Sequence, residues 1–229
     1  MKLSQIVPWG RSLSEYRAMF GLTETDLDAD ILGCGDGPAS FNAEVSQRGG
    51  RVVSVDPVYR FSADDIRSRI DEVYPHIMQQ MRENQASYLW EDMGDVERLG
   101  EVRMRSMASF LDDYPQGRPD GRYVEAALPH LPFGDSAFDL ALCSHFLFLY
   151  SEHVDLDAHL AGIRELGRVA REVRVYPLLG LDGRLSPHLE PVMQALTEEG
   201  WQVSRQPVAY QFQRGATEML VARSSRVRH

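Results

Sequence analysis

The sequence predicts an α/β protein built on one doubly wound, largely parallel sheet. Short runs rich in Val, Ile and Leu alternate with helical stretches, and a glycine-rich turn joins the first run to the first of those helices. The chain then closes on two strand-like runs separated by a short polar turn, the signature of an antiparallel hairpin at the sheet edge. The 229 residues, 43% hydrophobic and 25% charged, suffice for one buried core, and a single domain over residues 1–229 is expected.

Residues 11–22 place Leu13, Tyr16, Met19 and Phe20 on one helical face, with Ser12 as cap and Gly21 as stop, so residues 1–27 read as an N-terminal helical cap. Asp30-Ile31-Leu32-Gly33-Cys34 reads as a buried strand, residues 38–48 as a helix with Pro38 in its first turn, and residues 51–56 as a second strand closed by Pro57. A strand, helix and strand within about 30 residues imply a parallel pair with a right-handed crossover. Residues 58–122 form a charged helical insertion of two or three helices, in which Ile66, Ile70, Val73, Ile77 and Met81 recur every three or four positions and residues 115–121 form a loop. A third strand is expected at residues 123–127, a fourth at 138–144, a helix at 157–168 and a fifth strand at 172–176. A further helix opens at Ser186-Pro187 and stops at Gly200, and the hairpin takes residues 201–210 and 218–222.

Composition narrows the partners. With 24 Lys and Arg against 34 Asp and Glu the net charge is −10, and basic residues are scattered except in the tail from Arg223 to Arg228. Nucleic acid is therefore disfavoured, the tail being read as a frayed terminus. The longest apolar stretch falls short of the roughly 20 residues that span a bilayer. The N-terminus lacks an apolar signal core, so a cytoplasmic protein is expected. Cys34 and Cys143 end neighbouring strands and read as two buried thiols. His153 and His159, with Asp155 and Asp157, read as a solvated loop and helix start, and no metal site is expected. The sequence carries no sign of a partner chain.

The sharpest local signal is Leu32-Gly33-Cys34-Gly35-Asp36-Gly37-Pro38, with Asp56 closing the next strand. Glycines let backbone approach a ligand, and N–H groups at a helix start attract polar or negative groups. An acid at the second strand tip accepts hydrogen bonds from ribose hydroxyls. A dinucleotide fingerprint would place a third glycine at position 38, where this chain has Pro38, which speaks against a nicotinamide-dependent oxidoreductase.

Residues 30–56 resemble the first motif and acidic second-strand tip of class I S-adenosylmethionine-dependent methyltransferases. The run Leu131-Pro132-Phe133-Gly134-Asp135-Ser136-Ala137-Phe138-Asp139-Leu140 resembles that superfamily's approach to its fourth strand, and residues 164–169 its helix before the fifth. The resemblance covers residues 28–57 and 122–223 and implies a seven-stranded Rossmann-like sheet of order 3-2-1-4-5-7-6. It implies S-adenosyl-L-methionine as cofactor and methyl transfer to an unidentified small acceptor, with a non-catalytic module binding S-adenosylmethionine or S-adenosylhomocysteine as the alternative. Gly33, Cys34, Gly35 and Gly37 would then line the cofactor, with Asp56 and Pro57 at the ribose. Val58 or Tyr59 would pack on adenine, Tyr59 being favoured for its aromatic face and an ordinary packed tyrosine remaining the alternative. Ile31 stands where the family carries an acid, for which Asp36 is the available substitute. Ala127 and Leu128 stand where it often carries an adenine-binding acid, leaving their backbone groups to serve, with Glu125 as a weaker candidate.

Transfer from a sulfonium needs mostly positioning, plus a base when the acceptor must lose a proton. Ser144 and His145 follow the fourth strand at the ligand-binding edge, and His145 is either that base or a structural histidine. Arg11, in the preamble Trp9-Gly10-Arg11, is either a partner for the methionine carboxylate or a solvated arginine. Tyr88, Trp90, Met104 and Met107 read as small helical cores or as part of an acceptor pocket.

Overall fold

A computed structural model describes residues 9–224, so the N-terminal segment before Trp9 and the basic tail beyond Ser224 lie outside the described residues. Seven strands form one sheet: β1 (Asp30–Cys34), β2 (Arg51–Val55), β3 (Tyr123–Val124), β4 (Phe138–Ser144), β5 (Ala170–Tyr176), β6 (Gln202–Pro207) and β7 (Glu218–Arg223). Their spatial order is β3-β2-β1-β4-β5-β7-β6, parallel from β3 to β5, with β7 antiparallel to both β5 and β6. This is the Rossmann-like order that the methyltransferase resemblance implies.

Strand side chains alternate between two buried faces. Leu32, Cys34, Ala141, Cys143 and Val173 face a core closed by α6 (Leu156–Val169) and α7 (Leu189–Glu198). Ile31, Val52, Leu140, Leu142 and Val221 face the opposite core, closed by α1 (Leu13–Phe20) and α3 (Phe41–Gln47). Cys34 and Cys143 are register partners on β1 and β4, and both are buried free thiols. Ser12 and Glu15 form the reciprocal cap of α1, and Gly21 stops it at φ 58°. A short α2 (Glu24–Leu27), capped by Thr23 and Asp26, continues the N-terminal cap and was not expected.

The insertion consists of a 3₁₀ turn at Pro57–Arg60, α4 (Ala63–Glu83), a second such turn at Gln85–Ser87, and α5 (Val96–Gly117). Pro115 does not end α5, contrary to the expected loop: its missing N–H costs the ladder one bond near the C-terminal end, and the turn continues because Tyr114 and Gly117 stay packed there. A Cβ on Gly117 would lie 2.5 Å from the Tyr123 ring.

Other elements are shorter than the sequence suggests. β3 stops at Val124 because its partner β2 stops at Val55, and the Ala127 carbonyl then accepts the His130 N–H to turn the chain. α3 starts after Ser40, not at Pro38, because the Ser40 N–H donates to the Arg11 carbonyl at 3.1 Å and residues 38–40 remain a turn. His159 is fully buried in α6, its ring 5.1 Å from Phe148 and 4.8 Å from His188, so it does not belong to the solvated loop expected for it. Among the described residues no helix is long and apolar enough to cross a membrane, and no cluster of His, Cys, Asp and Glu suits a metal ion.

Candidate functional site

A cavity of about 600 Å³ opens at the carboxyl ends of β1, β2 and β4, where the strand order reverses about β1 and β4. Open α/β sheets bind ligands at such a switch point. Two stretches of chain turn there, residues 35–38 after β1 and residues 144–146 after β4. Gly35 (φ 74°) and Gly37 (φ 51°) adopt the left-handed conformation, and a Cβ on Gly35 would sit 3.1 Å from the Phe146 Cβ.

The donors of the turn are largely spent inside the protein. The Gly35 N–H goes to the Val55 carbonyl at 3.0 Å, the Gly37 N–H to Asp56 Oδ2 at 3.0 Å, and the Ser40 N–H to Arg11 and Ser106. The glycines therefore supply room beside the ligand rather than a nest of free N–H groups, which modifies the reading of a helix start ready to receive a polar group.

Two carboxyls face the cavity and differ in environment. Asp56 caps the 3₁₀ turn, taking the Gly37 N–H on one oxygen and the Val58 N–H, at 2.9 Å, on the other. Burial raises its pKa against those two bonds, yet each oxygen keeps a lone pair for a ligand hydroxyl. Asp36 is 7% exposed and accepts Tyr16 Oη at 2.7 Å and Ser54 Oγ at 2.6 Å. Burial drives its pKa up to about 6 despite those bonds, with Asp56 adding repulsion.

Gly33 does not line the cavity. Its hydrogen atom faces the Asp36 carboxylate, and a Cβ would lie 1.9 Å from Oδ2. Its role is to seat Asp36, and that corrects its placement among the cofactor-lining residues. Asp36 thereby stands against the strand that carries Ile31, as the substitute acid was expected to, but its hydrogen bonds go to protein hydroxyls.

Tyr59 also requires correction. Its ring is 1% exposed, packed with Phe110, Tyr114 and Tyr123, and its hydroxyl donates to the Gly37 carbonyl at 2.7 Å. It braces the glycine turn from behind, and Val58 lines the cavity in its place. The other expected residues all line it: Arg11, Cys34, Gly35, Gly37, Asp56 and Pro57, then Ala127, Leu128, Ser144 and His145. Glu125 is exposed and stands apart.

His145 has a φ of 51°, a conformation uncommon outside glycine and several-fold enriched in His. Its N–H donates to the Tyr176 carbonyl at 2.7 Å, and its Nδ1 lies 3.0 Å from Ser144 Oγ. Burial, with the charges of Arg11 and Arg103, holds its pKa well below the usual 6.5. The imidazole is neutral at pH 7, able to accept a proton but only weakly basic.

Arg11 Nη1 donates to the Trp9 carbonyl at 3.2 Å, while its buried Nε has no hydrogen-bond partner. Among the described residues no carboxylate lies within ion-pair distance of it. Burial and the neighbouring Arg103 lower its pKa, so an anion placed against it would relieve both penalties. The preamble that carries it is fixed close to the glycine turn, for a Cβ on Gly10 would lie 2.1 Å from the Pro38 carbonyl oxygen.

Other functional residues escaped the sequence reading. Arg103, fully buried on α5, donates to Glu15 Oε2 at 2.6 Å, and Tyr210 Oη donates to Glu15 Oε1 at 2.9 Å. This network locks the cap, the insertion and the β6–β7 loop together around the cavity. The capping pattern Ser12-x-x-Glu15 was visible, but nothing local marks Arg103 as its partner. Tyr88, which the sequence left between a small helical core and an acceptor pocket, stacks on Phe212 at 4.8 Å and lines the cavity. The Leu89 N–H to Phe212 carbonyl bond of 2.8 Å sews insertion to loop beside it.

No family model matches the chain. It is 28% identical over 227 residues to the uncharacterized protein MJ0045 of Methanocaldococcus jannaschii, covering 97% of this chain and 98% of that one. Among solved structures it is similar to magnesium protoporphyrin IX methyltransferase of Synechocystis PCC 6803 with bound SAM, at a TM-score of 0.42 and 14% identity over 88% of this chain and 73% of that chain. It is also similar to the PH0226 protein of Pyrococcus horikoshii OT3, at a TM-score of 0.47 and 11% identity over 86% and 82% of the two chains. The order of the seven strands, not these likenesses, establishes the fold.

Proposed function

We propose that the protein binds S-adenosylmethionine at the β1/β4 edge and transfers its methyl group to a small-molecule acceptor. The observation that carries the reading is the cleft itself: two left-handed glycines leave room beside Asp56, whose oxygens each retain a lone pair for a ribose hydroxyl. The remaining lining fits the cofactor end to end. Val58 offers an apolar face to adenine, with the backbone of Ala127 and Leu128 nearby, and the unpartnered Nε of Arg11 suits the methionine carboxylate.

When bound, the cofactor supplies a sulfonium-activated methyl, the carbon–sulfur electron pair remaining on sulfur as the acceptor's lone pair forms the new bond. The chain's own contribution is orientation and exclusion of water. Tyr176 takes no proton, because its hydroxyl already donates to the Ala216 carbonyl at 3.0 Å and burial raises its pKa far above neutral. Neutral His145 takes the proton only from an acceptor that acidifies as it is methylated.

Calorimetric titration with S-adenosylhomocysteine, with NAD in parallel, tests this reading. One-site binding of the sulfur ligand and none of NAD is expected. Asp56→Ala should weaken that binding by about 10- to 100-fold, the equivalent of about 1.5–3 kcal/mol for hydrogen bonds to a charged acceptor. An unchanged affinity would remove Asp56 from the ribose. Silence from S-adenosylhomocysteine in folded protein would overturn the cofactor assignment.

A further inference from the structure

Past the glycine turn the same cavity has a second, apolar stretch of lining, its outer compartment. Ile66, Ile77 and Met81 of α4 line it together with Tyr88 and Phe212, which pack against the cluster that holds Ile77 and Met81. No acid lines this compartment among the described residues, since Asp36 and Asp56 both belong to the floor. Besides Arg11, the basic residues that line the cavity are Arg60 and Arg69, both exposed. Arg69 shares its charge with Glu72 at 2.7 Å on the same helix, and Glu72 does not line the cavity. The Arg60 guanidinium lies over the Phe61 ring at 4.8 Å, and Phe61 is 43% exposed. A large aromatic left in water at a cavity mouth, beneath an arginine, points to a surface that a ligand covers.

We propose that this compartment receives an amphipathic organic anion, its flat apolar body against the shared apolar surface of α4, Tyr88 and Phe212 and its negative group at Arg60 and Arg69. The inference rests on the cofactor reading, which assigns the floor to S-adenosylmethionine and leaves this compartment to the acceptor. Charge and shape agree. A cation would enter a mouth that carries two guanidiniums and leave its charge without a carboxylate inside, whereas an anion meets forked donors and an aromatic wall. An anionic acceptor also suits a site whose available base is the neutral His145.

The test uses three molecules of one shape: 2-naphthoate, 2-naphthylmethanol and 2-naphthylmethylammonium. Each is titrated calorimetrically into the protein with and without saturating S-adenosylhomocysteine. Naphthoate should bind about five-fold or more tighter than the alcohol, with the ammonium weakest. The double variant Arg60→Gln/Arg69→Gln, altered only at exposed positions, should remove the advantage of naphthoate and leave the alcohol unchanged. Phe212→Ala should weaken all three, in protein whose melting curve shows it folded. Equal affinities, a preference for the ammonium, or no binding of any probe would overturn the inference. Anion preference without S-adenosylhomocysteine binding would sink the cofactor reading alone, and S-adenosylhomocysteine binding without anion preference would sink this inference alone.

Discussion

At the floor of the cavity the shape is set by backbone: Gly35 and Gly37 in left-handed conformations, strand tips in parallel register, and Asp56 held by two N–H groups from its own neighbourhood. At the roof it is set by side chains that are distant in sequence, with Tyr88 of the insertion stacked on Phe212 of the hairpin loop. The floor tolerates little, because a side chain at either glycine would have to hold a left-handed backbone, and at Gly35 its Cβ would also crowd Phe146 at 3.1 Å. The roof can exchange one apolar surface for another so long as volume is kept. A constant chemical step and a variable acceptor would divide in this way across one cavity.

The division holds only if roof and floor are bound to each other, and that is the task of the Arg103–Glu15–Tyr210 network. Burial alone would raise the Glu15 carboxyl, and Arg103, by its charge and hydrogen bond, brings it down to about 2 instead. Arg103→Leu leaves that acid buried without its partner and should cost about 3–5 kcal/mol in urea unfolding. The pH dependence supplies the sign. In the native protein the Glu15 contribution is present above its ordinary 4.5 and is lost as pH falls toward 2. In Arg103→Leu the carboxyl is left with the Tyr210 hydroxyl and the Ser12 N–H against its burial, so its pKa should rise and the stability lost on acidification should shrink or change sign. The double variant Glu15→Leu/Arg103→Leu should recover much of the loss. A single variant within about 1 kcal/mol of native would mean that roof and floor are not joined here.

The floor has its own internal tension at Asp36. Its carboxyl stands at about 6 against an ordinary 3.8, so the folded state holds a proton that the unfolded chain has released across that interval. Stability attributable to this group should therefore fall as pH rises from about 4 to about 6 and stay level above. Asp36→Asn keeps an acceptor for one of the Tyr16 and Ser54 hydroxyls, offers an N–H to the other, and removes the Asp36 share of the slope, leaving that of Asp56, whose pKa burial also raises. It should gain up to about 3 kcal/mol at pH 7 relative to native, read from denaturant midpoints at pH 4, 5, 6 and 7. A slope undiminished by the substitution would assign it to another group and leave Asp36 ionised.

Why the floor was readable and the roof was not follows from the range of the interactions. β1 and β4 were found to the residue, because each is a short apolar run bounded by turn residues and buried on both faces. The glycine turn and Asp56 were found because close backbone approach leaves a compositional trace. Failures occurred wherever the deciding neighbour was remote. α5 runs through Pro115 because of packing against Tyr123, and β3 stops short because β2 has ended. The stack of Tyr88 on Phe212 joins residues whose contact no periodicity announces.

Tyr59 puts that lesson to its smallest test, because an aromatic residue just past Asp56 is equally legible as an adenine platform or as a packed ring. In the fold it is a ring among Phe110, Tyr114 and Tyr123 with one polar duty, the 2.7 Å bond to the Gly37 carbonyl. Tyr59→Phe keeps the ring and deletes that bond, leaving a carbonyl of the glycine turn without its donor. The expected loss is about 1 kcal/mol, a fall in melting temperature of about 2–4 °C for a chain of this size. Affinity for S-adenosylhomocysteine should drop by no more than about three-fold, since the turn loosens without losing a ligand contact. A melting temperature unchanged by the substitution would place the hydroxyl in solvent and return Tyr59 to the cavity. A loss of stability with near-native binding keeps it in the wall behind the floor, where a residue serves the cofactor site only through the backbone it supports.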